Sequence, residues 1–196
     1  MKYQNFIIII SGVSGSGKTT ICKKLIELDE NLYYSVSVTT REKRAYEIDG
    51  VDYIFISKEE FLKKIENDEF LEWAEIYGKF YGTLKKPIIE NLSKNKDIIM
   101  DIDVQGKRNV ERNFFGRVIS IFLIPPSKDE VIRRLKLRGD LSKEELEKRI
   151  SLIDVEMNHR WEYDYWVMND DLEKAILNVK KIIDVERLRA RYIIEF

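Results

Sequence analysis

Five large apolar residues, FIIII at 6–10, run almost directly into GVSGSGKT at 12–19, and a helix-like stretch, TTICKKLIEL, begins as that loop ends. An apolar run without alternation suits a strand buried on both faces, as in a parallel sheet. Glycine costs about 0.5–1 kcal/mol in regular structure, so three of them in six residues imply backbone that something approaches closely. The octet fits G-x-x-x-x-G-K-[ST], in which backbone N–H groups at the N-terminus of a helix surround phosphate oxygens. Strand, glycine loop and helix in this order commit the chain to an α/β start with a phosphate at the loop. The phosphate-binding set is then Gly12, Val13, Ser14, Gly15, Ser16, Gly17, Lys18, Thr19 and Thr20. Gly15 and Gly17 allow close backbone contact, Lys18 reaches β- and γ-phosphates, and the Thr19 hydroxyl helps to hold Mg²⁺.

The rest of the chain continues the alternation. DIIMDIDV at 97–104, RVISIFLI at 117–124 and YWVM at 165–168 read as further strands buried on both faces. Serine followed three residues later by glutamate marks helix starts at Ser57, Ser127 and Ser142, predicting helices near 58–67, 128–138 and 143–158. Leu172, Ile176, Val179, Ile183 and Leu188 recur near the helical period and predict a closing helix on the sheet. The segment 34–83 interrupts this rhythm with short β-branched and aromatic runs, and reads as a small mixed sheet inserted after the first helix.

Composition limits the partners. With 34 basic and 35 acidic residues the formal charge is −1, so no global field favours a polyanion, and nucleic acid is not an expected partner. The N-terminal apolar run is too short to span a bilayer, and a single cysteine, Cys22, excludes an intramolecular disulfide. The expectation is one domain without a membrane partner in a reducing, cytoplasmic setting, with Cys22 buried on a helix and any metal on oxygen ligands. Self-association is left open.

SVSVTTREKRAYEIDGVDYIF at 35–55, FLEWAEIYGKFYGT at 70–83 and DIDVQG at 101–106 resemble the nucleotide-binding region of the guanylate kinase family. IPPS, RLKLRG, EKR and EYDYWVMNDD continue the family's order, so the resemblance covers essentially the whole chain. It implies a three-layer P-loop fold with a parallel core sheet (1–33, 84–133 and 160–196), a mixed α/β GMP-binding insertion (34–83) and a helical lid (134–159). It implies transfer of the γ-phosphoryl group of ATP, carried as Mg-ATP, to GMP. By the same resemblance, Arg41, Arg44, Tyr53 and Tyr81 hold the GMP phosphate, and Ser37, Glu72, Thr83 and Asp103 hold guanine. Arg134, Arg138 and Arg149 are lid arginines that join Lys18 in catalysis. Where the family commonly has a small residue then glycine, or proline and glycine, after the second arginine, this chain has Ala45 and Tyr46.

The residue chemistry agrees. Guanine offers donors at N1–H and the 2-amino group and an acceptor at O6, which calls for carboxylates on one edge and hydroxyls near the other. Asp101 and Asp103, separated by Ile102, are expected on one face of a strand near its C-terminal end, with Asp101 either ordering Mg²⁺-bound water or serving as a structural carboxylate. His159 reads as structural or exposed. Trp73, Tyr77 and Phe80 read as the packing of the small sheet rather than a stacking platform for single-stranded nucleic acid. A non-enzymatic scaffold module of the same family, a kinase for another monophosphate and a nucleotide hydrolase are the competing readings.

Overall fold

The computed structural model describes residues 2–76, 78–138 and 142–195, the side chains of residues 2, 3, 138, 194 and 195 excepted. A parallel sheet of five strands forms the core in the order β10-β9-β2-β8-β3. Its strands are β2 (Ile7–Gly12), β3 (Leu32–Tyr34), β8 (Asp97–Asp101), β9 (Val118–Ile124) and β10 (Tyr165–Met168). The unbroken apolar run has the expected cause, since both faces of β2 are covered. Ile8 and Ile10 pack with Ile21, Cys22 and Leu25 of α1 (Lys18–Leu28) and with Ala175, Ile176, Val179 and Ile183 of α7 (Leu172–Arg187). Ile7 and Ile9 face the other way, toward Ile88 of α3 (Lys85–Ser93) and Val110 of α4 (Val104–Asn113).

A second sheet, ordered β5-β4-β7-β6, is made by β4 (Val38–Thr39), β5 (Ile54–Phe55), β6 (Phe70–Ile76) and β7 (Lys79–Leu84). β6 and β7 pair antiparallel, as do β4 and β7, while β4 and β5 run parallel. Its own core joins Val38, Phe70 and Phe80 to Phe61 of α2 (Lys58–Glu66). Two further helices, α5 (Lys128–Arg138) and α6 (Lys143–Asn158), pack through Val131, Leu135 and Ile153 onto Val13. A short antiparallel pair, β1 (Lys2–Tyr3) with β11 (Ile193–Glu195), ties the two ends of the chain together.

Several boundaries differ from expectation. Tyr34, assigned with the insertion from the sequence, pairs with Ile99 in the core sheet. The strand at 97–104 ends at Asp101, because Asp103 caps α4 through a 2.8 Å bond from the Gly106 N–H. Asp101 and Asp103 therefore do not share a strand face. β10 is an edge strand with Trp166 and Met168 exposed, so YWVM is buried on one face only. Leu172 and Leu188 are exposed, because the former lies in the first turn of α7 and the latter just beyond its end.

Ser57 and Ser142 form complete capping boxes with Glu60 and Glu145. Ser127 accepts from the Glu130 N–H, but the Glu130 carboxylate turns to Arg133 and Arg134 instead of closing the box. At the end of the sheet away from the glycine loop, fully buried Asp97 accepts from Asn5, the Phe6 N–H and Arg187. Arg187 also bonds Asp29, so one guanidinium joins the last turn of α7 to both β8 and the end of α1.

Candidate active site

The C-terminal ends of β2 and β8 open into a cavity of about 210 Å³. Parallel sheets bind ligands at this end because the loops there are free of strand pairing and the helix N-termini point inward. Gly12, Ser14, Gly15, Lys18 and Thr19 line the cavity from the glycine loop. Ser37, Arg41, Arg44, Tyr53, Glu72 and Tyr81 line it from the insertion, and Asp101, Asp103, Arg149 and Glu156 complete the wall.

The glycines answer to more than a ligand. Gly17 has φ 97°, the left-handed region, at the start of α1, and a Cβ there would lie 2.5 Å from Asn169 Nδ2. That amide donates to the Ser16 carbonyl at 2.6 Å, so Gly17 makes room for a protein side chain. A Cβ on Gly12 would meet the Leu123 carbonyl at 2.7 Å. Val13 and Ser16 are buried under the loop and Thr20 is exposed, and none of these three predicted binding residues lines the cavity. Lys18 Nζ donates to the carbonyls of Gly12 and Val13, at 2.9 and 3.2 Å, and so curls over the loop's mouth.

Helix α6 lies against the same loop. Arg149, Ile153 and Glu156 recur at helical spacing and share a face. Arg149 donates to Ser14 Oγ at 2.8 Å, Ile153 packs with Val13, and Glu156 Oε2 accepts the Ser14 N–H at 3.2 Å. A carboxylate thus sits on a loop amide suited to an anion. Burial pushes the Glu156 pKa up, opposed by the charge of Lys18.

Thr19 and Asp101 meet where the first helix and β8 converge. Thr19 Oγ1 donates to Asp101 Oδ2 at 2.5 Å, and the Tyr34 hydroxyl donates to Oδ1 at 2.7 Å. Burial raises the Asp101 pKa, and both hydroxyl bonds oppose the shift.

Across the cavity the two arginines of the insertion are held by Glu47, which is 6 % exposed. Arg41 makes a two-pronged pair with it, at 2.7 and 2.9 Å, while Arg44 gives both its backbone N–H (2.9 Å) and its guanidinium (3.2 Å). These bonds hold the Glu47 carboxyl below its ordinary pKa against the opposing effect of burial. The Arg41 guanidinium lies over the Tyr53 ring, 5.2 Å from its centroid, and Tyr53 meets Tyr81 edge-on. Tyr46 points to solvent, so the unusual Ala45-Tyr46 pair leaves this cluster whole.

Glu72 is buried on β6 and accepts the Thr83 hydroxyl at 2.6 Å from the neighbouring β7. Desolvation pushes its pKa up to about 7, with Thr83 opposing and the charge of Asp103 adding to the rise. Gly106 lies against it: a Cβ there would be 2.7 Å from Glu72 Oε2 and would displace the carboxylate. Ser37 is buried at the same wall, and Asp103 reaches it from the start of α4 with Oδ1 already engaged in capping.

Of the three arginines expected in a lid, Arg149 reaches the glycine loop and lines the cavity. Arg134 pairs with Glu130 at 2.8 Å and lies 3.4 Å from the Asn169 carbonyl, alongside the loop rather than in the cavity. Arg138 ends α5 and its side chain lies outside the described residues, as do Gly139 and Tyr77. His159 ends α6 with its ring bonded to Glu162, away from the cavity, while Trp73 and Phe80 pack on each other in the small sheet.

Sequence reasoning passed over Glu47, Glu156, Gly106, Asn169 and Tyr34. Only Glu47 carried a local signal, an acidic residue three positions after Arg44. The others are brought to the site by contacts between distant segments.

A sequence profile described as Guanylate kinase matches residues 4–186. A guanylate kinase of Caldanaerobacter subterraneus subsp. tengcongensis is 45% identical over 189 residues, covering 96% of this chain and 91% of its own. One from Carboxydothermus hydrogenoformans is 43% identical over 190 residues, covering 96% and 92%. The crystal structure of guanylate kinase from Anaplasma phagocytophilum superposes with a TM-score of 0.83 at 34% identity, over 97% of this chain and 90% of that one. With its glycine loop, inserted sheet and shared cavity in one fold, and with likeness along nearly its whole length, the chain belongs to the guanylate kinase family.

Proposed function

We propose that this chain transfers the γ-phosphoryl group of ATP to GMP, giving ADP and GDP. The observation that carries the reading is the one cavity lined by Lys18 and Thr19 on its donor side and by Arg41, Arg44, Tyr53 and Tyr81 on its acceptor side. Two nucleotides with their phosphates in that space present the acceptor oxygen to the γ-phosphorus. A nucleoside monophosphate is already largely dianionic at pH 7, so its oxygen attacks without a general base. Catalysis then rests on positioning and on neutralising the charge of the transferring group.

Lys18 leaves the loop carbonyls for the β- and γ-phosphates, and Arg149, already on the loop, adds charge from the lid. The Arg134–Glu130 pair is partly exposed, and Glu130 also holds Arg133, so a phosphate can recruit Arg134 while Glu130 keeps a partner. Arg138 acts with them when the lid, 134–159, closes and excludes water. Glu72, held by the Thr83 hydroxyl, accepts from guanine N1–H and the 2-amino group, supported by the free oxygen of Asp103, while Ser37 supplies a hydroxyl. Adenine lacks those donors and leaves the buried carboxylate with the Thr83 hydroxyl but no partner from the base.

Thr19 and Asp101 fit Mg²⁺, which prefers hard oxygen ligands and keeps water and phosphate oxygens in its shell. Their oxygens stand 2.5 Å apart at the donor side of the cavity, and Thr19 and Asp101 would hold an ion there that would supply positive charge toward the phosphates of ATP. An ADP-release assay with GMP, dGMP, AMP, CMP and UMP tests the whole reading. GMP is expected to exceed AMP by roughly 10²–10⁴ in kcat/KM. Equal rates with AMP, or rapid ADP release with no acceptor, overturn it.

A further inference from the structure

Tyr34 ends β3, the outer strand of the core sheet beside β8, and its ring is packed in the core with 8 % exposure. Its hydroxyl is the second donor to Asp101, at 2.7 Å on Oδ1, while Thr19 holds Oδ2 at 2.5 Å. An ionised carboxylate only accepts, and each hydroxyl has one proton to give. With that proton directed at Asp101, the lone pairs of Thr19 Oγ1 are turned away from the carboxylate and left for a cation.

We propose that Tyr34 is a positioning residue for the metal-nucleotide step: by holding Asp101 from behind, it fixes the carboxylate that orients the Thr19 hydroxyl toward Mg²⁺. The inference rests on the Mg-ATP reading above. A carboxylate held on one oxygen alone is free to turn about its Cβ–Cγ bond, and the Thr19 proton follows it. Two donors on its two oxygens stop that rotation. The arrangement depends on chain crossing as well as on residue type, since β3 must lie beside β8 for a residue 67 positions before Asp101 to reach it. Outer-shell partners of this kind typically carry about 10–100-fold in metal affinity or activity.

The test is calorimetric binding of ADP to the intact protein with and without Mg²⁺, for wild type and Tyr34→Phe. Phenylalanine fills the same core space, and a thermal melt reports whether the fold persists. The expected result is metal-free ADP affinity within about twofold of wild type, with the gain conferred by Mg²⁺ reduced roughly tenfold. In an Asp101→Asn background, Tyr34→Phe is expected to add no further loss, because both act through one carboxylate. An undiminished Mg²⁺ gain in Tyr34→Phe overturns the inference, and so does an equal loss of ADP affinity with and without the metal. Absence of any Mg²⁺ gain in wild type counts against the Mg-ATP reading instead, which separates the two failures.

Discussion

The wall of the cavity proposed for the donor hangs from β2, the central strand of a sheet buried on both faces, whereas the wall proposed for the acceptor is carried by a small sheet with a separate core around Phe61, Phe70 and Phe80. The donor wall is made largely of backbone, its glycines packed against Asn169 and Leu123 and its helix N-terminus directed at the site. The acceptor wall is made of side chains, and these are ordered by other side chains: Glu47 grips Arg41 and Arg44, and Thr83 holds Glu72. Backbone embedded in a core keeps its geometry when one side chain is altered. A wall of charged groups depends on every partner in the cluster, and a single loss spreads through it.

The largest expected effect is at Lys18, the lysine of the glycine loop, which acts by charge. Lys18→Ala should lower kcat roughly 10³-fold, the scale for losing a preorganised electrostatic contact, while a thermal melt shows the fold intact. Near-normal turnover by the folded variant would break the assignment of the glycine loop.

Next comes the support of the acceptor wall. Glu47→Ala should reduce kcat/KM for GMP roughly 10–100-fold through misplaced arginines, with KM for ATP unchanged. If ATP and GMP parameters fell together, the two walls would not be separable in the way the structure divides them.

The third effect is about tenfold and depends on pH. Burial pushes the Glu72 pKa up to about 7, above its ordinary 4.5, so the folded chain holds that proton more tightly than the unfolded one. Its contribution to stability is present below the ordinary value and is lost as pH rises through about 7. Guanine binding has the opposite slope, because it needs the ionised carboxylate. Guanosine lacks a phosphate ionising near pH 6, and its affinity should fall roughly tenfold from pH 8 to pH 6 in wild type and stay flat in Glu72→Gln. Equal slopes in the two proteins would exclude Glu72 as the guanine acceptor.

The smallest effect lies where the donor wall does contain an acid. Glu156→Gln removes a negative charge that rests on the Ser14 N–H, so equilibrium ATP affinity should rise roughly threefold with GMP affinity unchanged. Weaker ATP binding in the variant would mean that Glu156 supports the loop rather than competing with phosphate.

Legibility in the sequence follows the same division. The glycine loop, its strand and its helix are consecutive, and their signals are local: an unbroken apolar run, three glycines, a lysine and a helical period. The capping boxes at Ser57 and Ser142 were likewise written within four residues. Asp103 was misplaced onto a strand because alternation at 101–103 looks the same whether the strand continues or a helix cap begins. The second carboxylate donor, Tyr34, left no sign, since nothing near it in sequence refers to Asp101.

The sequence by itself determined the α/β order, the buried central strand, the glycine loop between strand and helix and, by resemblance, the family and the residue types proposed for both walls. Tertiary structure decided which groups those residues meet. Asn169 under Gly17, Glu72 against Gly106, Glu156 on the loop amide and Tyr34 behind Asp101 are all contacts between distant segments. The physical reason is range: glycine freedom, apolar periodicity and helix capping act over a few residues and can be read along the chain. Hydrogen bonds to buried carboxylates are satisfied by whichever donor the sheet order brings within 3 Å, and that order exists only once the chain has folded.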